Sequence, residues 1–412
     1  MNLIRKKPLG MIALTILSIL LACGYFFGAM MFTPSLPAIT KYFSAHSSFA
    51  RMTVSSFLLV MALSQLIYGP ASDKFGRKPV VLVGGFIFML GSVLCLLSPS
   101  IEFLIFSRAI QGLGTGALIT LARTIIQDSL PKEQFLKAIA WMSIFFSMAP
   151  AVSPLLGGFL QLHFNWQGNF AFMLGFSILL IVLVIFALPE TNKEKNPHAL
   201  NIKHLANNYL NVAKNKMFWA YMTFIVAGLS GGIAFDVIGS FVLIDQYHLS
   251  AAVFGTISTS LMLMMVVSRL LMSMFLFDRM KKESIIILGL FITLSMSILL
   301  MILQITNLMN LFALLIILAF FYLGCGLLLP ISAASALGLF DKMKGAAGAF
   351  YGAVQMGGAF LVSAIASSMH PSIGFLVSIL LVISVIAFSV GIKALKNKNE
   401  LLDNEKNKIQ PA

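Results

Sequence analysis

Asp236 is the acidic residue that lies well inside a long apolar stretch of this sequence. A carboxyl group in a membrane segment is costly, and such groups serve as proton relays in pumps and transporters. Gly228, Gly231 and Gly232 precede it and would let the helix loosen and line a cavity. We therefore predict that Asp236 carries a proton. A structural aspartate bonded to a neighbour's hydroxyl group or to an arginine is the alternative.

A positive charge occupies another apolar stretch, in the sequence Arg108-Ala-Ile-Gln111-Gly112. A guanidinium group inside a membrane span costs roughly 2.5–3.5 kcal/mol, so it needs a cavity or a partner. Arg108 is thus a candidate to stabilise the carboxylate of Asp236. Snorkelling of the arginine to the membrane interface is the alternative.

Charge is also concentrated in a short loop between two apolar stretches. Gly69 and Gly76 let the backbone turn sharply there. Asp73 lies close to Arg77 and Lys78, which favours a knot of charge-assisted hydrogen bonds at the membrane face. A basic turn that only sets the orientation of the chain is the alternative.

A further apolar stretch combines two prolines with two glycines: Pro150, Pro154, Gly157 and Gly158. Prolines four residues apart remove helix hydrogen bonds and bend the helix. The paired glycines then allow tight packing against a neighbouring helix. An ordinary kinked membrane helix is the alternative.

The elements that position these residues are membrane helices. The chain is 59% hydrophobic and 10% charged, whereas a soluble domain carries about 25% charged residues. Many apolar runs reach the roughly 20 residues that cross a bilayer as a helix. We predict an all-α membrane protein with twelve transmembrane helices. The predicted spans lie near 11–32, 50–71, 79–97, 103–125, 137–160, 167–188, 217–243, 251–276, 284–303, 309–332, 345–368 and 373–393.

A polar segment near the middle of the chain divides these spans into two sets of six. We predict an N-terminal six-helix bundle over residues 1–188 and a C-terminal one over 217–393. Residues 189–216 form the predicted cytoplasmic linker, and 394–412 form a cytoplasmic tail.

The distribution of positive charge predicts the orientation. Lys and Arg residues outside the spans concentrate in the N-terminus, alternate loops, the linker and the tail, while the opposite loops hold Lys41 and Arg51. This bias places both termini in the cytoplasm. It also accounts for the net charge of +14 without a nucleic-acid partner. The sequence has no nucleophile motif, metal-ligand spacing or phosphate-binding loop, so we predict no enzyme activity, no cofactor and no metal site.

The motifs resemble those of the major facilitator superfamily of transporters. The loop from Gly69 to Lys78 resembles the loop between helices 2 and 3 of that superfamily. The Arg108 motif is similar to a signature of proton-coupled members, in which the arginine aids proton transfer. The motif from Pro150 to Gly158 resembles the signature of antiporters, which is thought to seal the interface between the halves.

Further stretches resemble one subfamily, the drug–proton antiporters of bicyclomycin and chloramphenicol resistance. They begin at Arg123 (Arg-Thr-Ile-Ile-Gln-Asp), Trp166, Gly324 and Gly345. The resemblance implies a monomeric, multi-pass protein of the bacterial cytoplasmic (inner) membrane that exchanges protons for small molecules. Such transporters export antibiotics in multidrug efflux, and some relatives export siderophores or other metabolites.

The sequence departs from this subfamily at the end of span 1. The subfamily usually carries an aspartate there, and Met30 occupies that position. Asp236 is the candidate to replace it.

The resemblance also predicts a substrate cavity, because spans 1, 4, 7 and 10 line the cavity in this superfamily. Aromatic residues and methionines give adaptable apolar surface to such cavities. The predicted substrate contacts are Tyr25, Phe26, Phe32, Gln111, Asp236 and Tyr322 from these spans, with Phe145 and Met148 from span 5. Side chains that face lipid or pack between helices are the alternative for each.

We predict a proton-coupled exporter of small molecules that works by alternating access. An importer or facilitator of a metabolite or siderophore is the first alternative, which the missing acid of span 1 permits. A membrane receptor that transports nothing is the second.

Overall fold

The computed structural model describes residues 10–340 and 343–409 of the chain. The first nine residues of the predicted N-terminal bundle and the last three of the predicted tail lie outside the described residues. So do two residues of the predicted loop between spans 10 and 11. The described residues contain helices and no strands. The all-α prediction is confirmed for them.

Eleven of the described helices are long and apolar enough to cross a membrane. Ten of them are single spans, and the fifth in chain order holds spans 5 and 6. They are Met11–Tyr42, Ser47–Phe75, Arg77–Leu96, Ile101–Ser129, Glu133–Phe186, Lys216–Gln246, Ala251–Leu276, Lys282–Ile305, Leu311–Gly338, Gly345–Ser368 and Ile373–Ala394.

Spans 5 and 6 meet at Asn165. The helix Lys132–Phe186 has 55 residues, and Asn165 within it has φ 57° and ψ −173°, which is not helical. A straight helix of that length would measure about 80 Å, far more than the roughly 30 Å of the bilayer core. Asparagine tolerates positive φ better than most residues. The break therefore yields two spans, and the twelve predicted helices are confirmed.

Span 1 is longer than predicted. Beyond its α-helical part, Met11–Phe26, it continues through a π-helical segment, Phe27–Met31, a 3₁₀ turn, Thr33–Ser35, and a short helix, Leu36–Tyr42. Pro34 and Pro37, which follow residue 32, do not end the span. They are tolerated because each lies in the first turn of its short segment, where a missing N–H leaves no helix bond unmade.

The predicted linker contains a helix, Ile202–Ala213, that its polar composition did not suggest. Tyr209 in this helix donates a hydrogen bond to the carbonyl oxygen of Leu66 in span 2, at 2.8 Å, and its ring stacks on Phe350 of span 11. Burial raises the pKa of Tyr209 to about 12, so its hydroxyl remains a donor at neutral pH. The linker helix therefore contacts both halves of the protein.

The opposite end of the molecule is closed by contacts between the halves. We call this end, with the turns at 43–46 and 247–250, the outer end, and the end with the linker the inner end. Arg51 lies in span 2, not in a loop as predicted, and it is fully buried. Its Nη1 donates to the carbonyl oxygen of Ala366 in span 11 at 2.5 Å, and its guanidinium lies 5.6 Å from the ring of Phe241 in span 7. Lys41 and Asp245 add an exposed ion pair between spans 1 and 7, at 2.9 Å.

Arg51→Met should weaken this outer closure, because it removes the charged donor to Ala366 and keeps a long apolar side chain. A hydrogen bond from a charged group contributes about 1.5–3 kcal/mol. Ser363 is a fully buried residue of span 11, one helical turn before Ala366, and bonds to Ser55 of span 2. We expect Ser363→Cys to react at least several-fold faster with a membrane-impermeant thiol reagent when Arg51→Met is present. Lys41→Met is the control, since an exposed ion pair contributes about 0–1 kcal/mol. Equal labelling rates with and without Arg51→Met would show that Arg51 does not hold the outer end closed.

Candidate functional site

A cavity lies between the two halves, and Asp236 lines it. Spans 1 and 2 of the first half and span 7 of the second half form its walls. The lining residues are Tyr25, Ala29, Met30, Thr33, Val54, Leu58, Ile233, Asp236 and Val237. Most of these side chains are apolar, as in most small-molecule sites. The acid singled out from the sequence thus reaches the interface between the halves.

Met30 of span 1 and Asp236 of span 7 face the same cavity. Met30 lies in the π-helical segment Phe27–Met31 of span 1, and Asp236 lies in the π-helical segment Phe235–Gly239 of span 7. Segments of π-helix occur frequently at functional sites because they reorient side chains within a helix. Met30, at the position where the resemblance implies an acid, and the acid of this chain therefore line the same cavity.

The carboxyl group of Asp236 has a single described partner. Its Oδ1 accepts a hydrogen bond of 2.8 Å from Ser258 Oγ of span 8, and the residue is 3% exposed. None of the ion pairs between described residues includes Asp236. A carboxyl group away from water requires a proton, a cation or further hydrogen bonds. The geometry thus suits a group that gains and loses a proton.

Tyr322 of span 10 lies near this group. Its hydroxyl is buried and has no hydrogen-bond partner among the described residues. A methyl group added at Gly232, one helical turn before Asp236, would lie 4.0 Å from Tyr322 Oη. A buried hydroxyl left unpaired costs about 1–3 kcal/mol, so it is available to a polar group that enters the site.

Arg108 is not a partner of Asp236 in this structure. Its guanidinium carbon lies between the rings of Phe32 and Phe57, at 4.1 and 4.3 Å. Its Nη2 donates to the carbonyl oxygen of Gly28 at 2.6 Å, and its Nη1 donates to Gln111 Oε1. All these contacts lie within the first half, and the residue is fully buried, so snorkelling to the interface is wrong. Arg108 instead anchors the π-helical segment that carries Met30.

Two of the eight predicted substrate contacts, Tyr25 and Asp236, line the cavity. Gln111 Nε2 donates to Ser92 Oγ at 2.8 Å inside the first half, and Phe32 packs on Arg108. Phe26, Phe145, Met148 and Tyr322 are also outside the described lining. The missed residues belong to pairs three or four positions apart, such as Val54 and Leu58 of span 2. That spacing marks one helix face. The superfamily pattern did not include span 2, and within spans 1 and 7 it did not show which side chains face the cavity.

The loop at the inner end contains the predicted knot of hydrogen bonds. Arg77 Nη1 donates to Asp73 Oδ1 at 2.5 Å, and Arg77 Nε donates to Asp128 Oδ2 at 2.8 Å. Lys78 does not join the knot, because its Nζ donates to a backbone carbonyl of span 6. Glu190 of the linker accepts from the backbone N–H of Arg77 at 2.8 Å and thereby caps span 3. Asp128 and Glu190 are the partners that the sequence analysis did not assign.

The glycines of span 5 lie where helices meet most closely. An added Cβ at Gly157 would clash with the carbonyl oxygen of Met31 in span 1, and one at Gly158 with the carbonyl oxygen of Ala251 in span 8. A Cβ added at Gly255 of span 8 would likewise clash with the carbonyl oxygen of Pro154 in span 5. Span 5 therefore contacts both halves through backbone atoms. Arg123, at the inner end of span 4, lies 5.3 Å from the ring of Phe146 in span 5.

Residues 18–363 match the sequence profile of the Major Facilitator Superfamily. The chain belongs to this superfamily. It is 27% identical over 371 residues to multidrug resistance protein D of Escherichia coli K12. That alignment covers 90% of this chain and 91% of that protein. It is 28% identical over 372 residues to multidrug resistance protein MdtL of Salmonella heidelberg, covering 88% and 91%. A bicyclomycin resistance protein homolog of Haemophilus influenzae is 31% identical over 229 residues, 56% of this chain and 58% of that protein.

Solved structures agree with the fold. A partially occluded inward-open conformation of the xylose transporter XylE from E. coli superposes with a TM-score of 0.71 at 14% identity, covering 93% of this chain and 97% of that one. At this identity the likeness concerns the fold alone. Family and fold together make the chain a multi-pass membrane transporter and not an enzyme, and its bacterial relatives place it in a bacterial inner membrane.

Gly158→Ala should impair transport by this protein, because the added methyl group forces spans 5 and 8 apart. Overpacking of this kind costs about 1–3 kcal/mol, and we expect at least a tenfold loss of transport at equal protein levels. Gly175→Ala in span 6 is the matched control, since nothing lies within 4 Å of its added methyl group. Equal transport by both variants would show that the close approach at Gly158 is incidental.

At the inner end of the protein, Asp128→Asn should reduce transport more than Asp73→Asn. Both carboxylates accept from Arg77, but the Asp128 side chain is 24% exposed and that of Asp73 is 49% exposed. Solvent screens the more exposed pair more strongly. The measurement is transport per protein in proteoliposomes, with thermal unfolding in detergent as a check on folding. A larger loss in Asp73→Asn would reverse this order of importance.

Proposed function

We propose that this protein is a proton-driven exporter of small molecules, drugs or metabolites, that works by alternating access. The observation that carries the proposal is the position of Asp236, which faces Met30 across a largely apolar cavity between the halves. Two relatives that align over most of the chain are named multidrug resistance proteins. An apolar cavity with one acid suits the exchange of small molecules for protons.

The cycle follows from the contacts at the two ends. Opening of the outer end would separate Arg51 from Ala366 and Lys41 from Asp245, and would expose Asp236 to the periplasm, where it takes up a proton. Rocking of the halves would then open the inner end, where the proton leaves and a substrate from the cytoplasm enters. A potential of 100 mV supplies about 2.3 kcal/mol per charge, which corresponds to roughly fifty-fold accumulation.

The same proposal includes the topology and the state of assembly. Both termini lie in the cytoplasm, because the basic residues concentrate at the inner end. The bundles span 1–188 and 217–393, joined by the linker 189–216, with the tail at 394–412. The transporter acts as a monomer, and its partners are the small-molecule substrate, protons and the lipid bilayer.

Import or facilitated diffusion of a metabolite is the second candidate. Met30 favours it, because the subfamily's usual acid of span 1 is missing. The close packing of the Pro150–Gly158 motif opposes it, because this motif resembles the antiporter signature.

Asp236→Asn should abolish uphill export, because an amide cannot carry the transported proton. We expect proteoliposomes with an imposed pH gradient to lose drug accumulation while retaining downhill exchange, which needs no proton. The assay uses ethidium, chloramphenicol and bicyclomycin. The control is Asp278→Asn, the same chemical change at an exposed residue of the inner end.

The outcomes separate the candidates. Uphill accumulation by Asp236→Asn equal to that of the parent would show that this residue is not the carrier. Equilibration of a drug by the parent without uphill accumulation would favour the facilitator.

A further inference from the structure

Span 8 carries two consecutive hydroxyl groups that bind different neighbours. Ser258 Oγ donates to Asp236 Oδ1 of span 7 at 2.8 Å. Thr259 Oγ1 donates to the carbonyl oxygen of Ala151 in span 5 at 2.5 Å. Consecutive residues of a helix point about 100° apart, so one short segment contacts the proton site on one side and the opposite half of the protein on the other.

The Ser258 contact selects one oxygen atom for the transported proton. Ser258 is 1% exposed, and its hydroxyl is the described hydrogen-bond donor to Asp236. None of the hydrogen bonds between described residues involves Asp236 Oδ2. With Oδ1 occupied as an acceptor, a proton that arrives binds Oδ2. Ser258 thus holds the carboxyl group in one orientation, with the proton on the oxygen that has no partner.

The Thr259 contact crosses the interface that must move. Spans 5 and 8 belong to different halves, and around this bond they approach through backbone atoms, Gly255 to Pro154 and Gly158 to Ala251. When the halves rock, such a contact shifts as a unit because packed interfaces switch between discrete arrangements. A displacement of span 8 at Thr259 necessarily displaces the neighbouring Ser258.

We propose that Ser258 and Thr259 couple the protonation of Asp236 to the rocking of the halves. Ser258 is a positioning residue for the proton on Oδ2, and Thr259 ties that positioning to span 5. Coupling requires a contact that differs between the two states, since a ligand shifts an equilibrium only by its differential affinity for them. The inference rests on the proposed proton role of Asp236.

Infrared difference spectroscopy of the purified protein tests the Ser258 contact without any substrate. Asp236→Asn identifies the carbonyl stretching band of the protonated Asp236 by removing it. In Ser258→Ala this band should move to higher wavenumber, because the carbonyl oxygen Oδ1 loses its hydrogen-bond donor. Ser258→Thr should restore the parent position. Ser260→Ala is the matched control, since Ser260 Oγ donates to its own helix.

The infrared outcomes separate this inference from the proposed function. A band that stays in place in Ser258→Ala overturns the role of Ser258. A parent protein without any band that depends on Asp236 removes the proton site itself, and the proposed function with it.

Proton release on adding ethidium or chloramphenicol to the protein in detergent tests the Thr259 contact. Thr259→Val keeps the shape of the side chain and removes the hydroxyl. Loss of a hydrogen bond of about 1 kcal/mol should shift the equilibrium between the two states by about fivefold, so that fewer protons are released per bound drug. Thr256→Val is the control, because Thr256 Oγ1 donates to its own helix.

The two hydroxyls act in series in this proposal, so Ser258→Ala combined with Thr259→Val should lose no more than Ser258→Ala alone. Independent contributions would instead multiply and would overturn the coupling. Parent-like release by Thr259→Val would overturn the role of Thr259. A parent that binds either drug but releases no protons would contradict the proposed exchange of protons for drugs instead.

Discussion

A carboxyl group held away from water, without an ion-pair partner among the described residues, is the constraint on which this structure depends. Asp236 is stable there because one hydroxyl group satisfies one of its oxygens and a cavity adjoins it. Burying an ionised carboxylate costs several kcal/mol unless something compensates it. Binding a proton removes the charge of the carboxylate and with it this cost. The need for a proton connects the site with transport driven by a proton gradient.

The acid lies on one of two spans that line the cavity together. Span 1 of the first half and span 7 of the second both switch to π-helix where they line it. An acid on either span reaches the same space. Loss of the acid at Met30 is therefore compatible with proton coupling, provided that the span across the cavity supplies one.

Two arginines within the spans stabilise the described conformation. Arg108 lies between two aromatic rings and donates to three oxygen acceptors within the first half, and Arg51 bonds across the outer end. Buried cations of this kind are costly to leave unpaired and are therefore held firmly. Spans 5 and 8 meet instead through backbone contacts between glycines and carbonyl groups, which permit close approach without long side chains.

Sequence alone determined the features that depend on local composition. Apolar runs of about 20 residues predicted the twelve spans because the bilayer sets their length, and one acid within an apolar run identified Asp236. The loop glycines and the charges of Asp73 and Arg77 predicted their hydrogen bond. Tertiary structure decided which atoms meet. Hydropathy does not report which face of a helix is turned toward which neighbour, so it did not reveal Ser258 beside Asp236 or Arg51 bonded across the outer end. For the same reason it linked Arg108 to Asp236, whereas packing between two aromatic rings holds Arg108 in the first half.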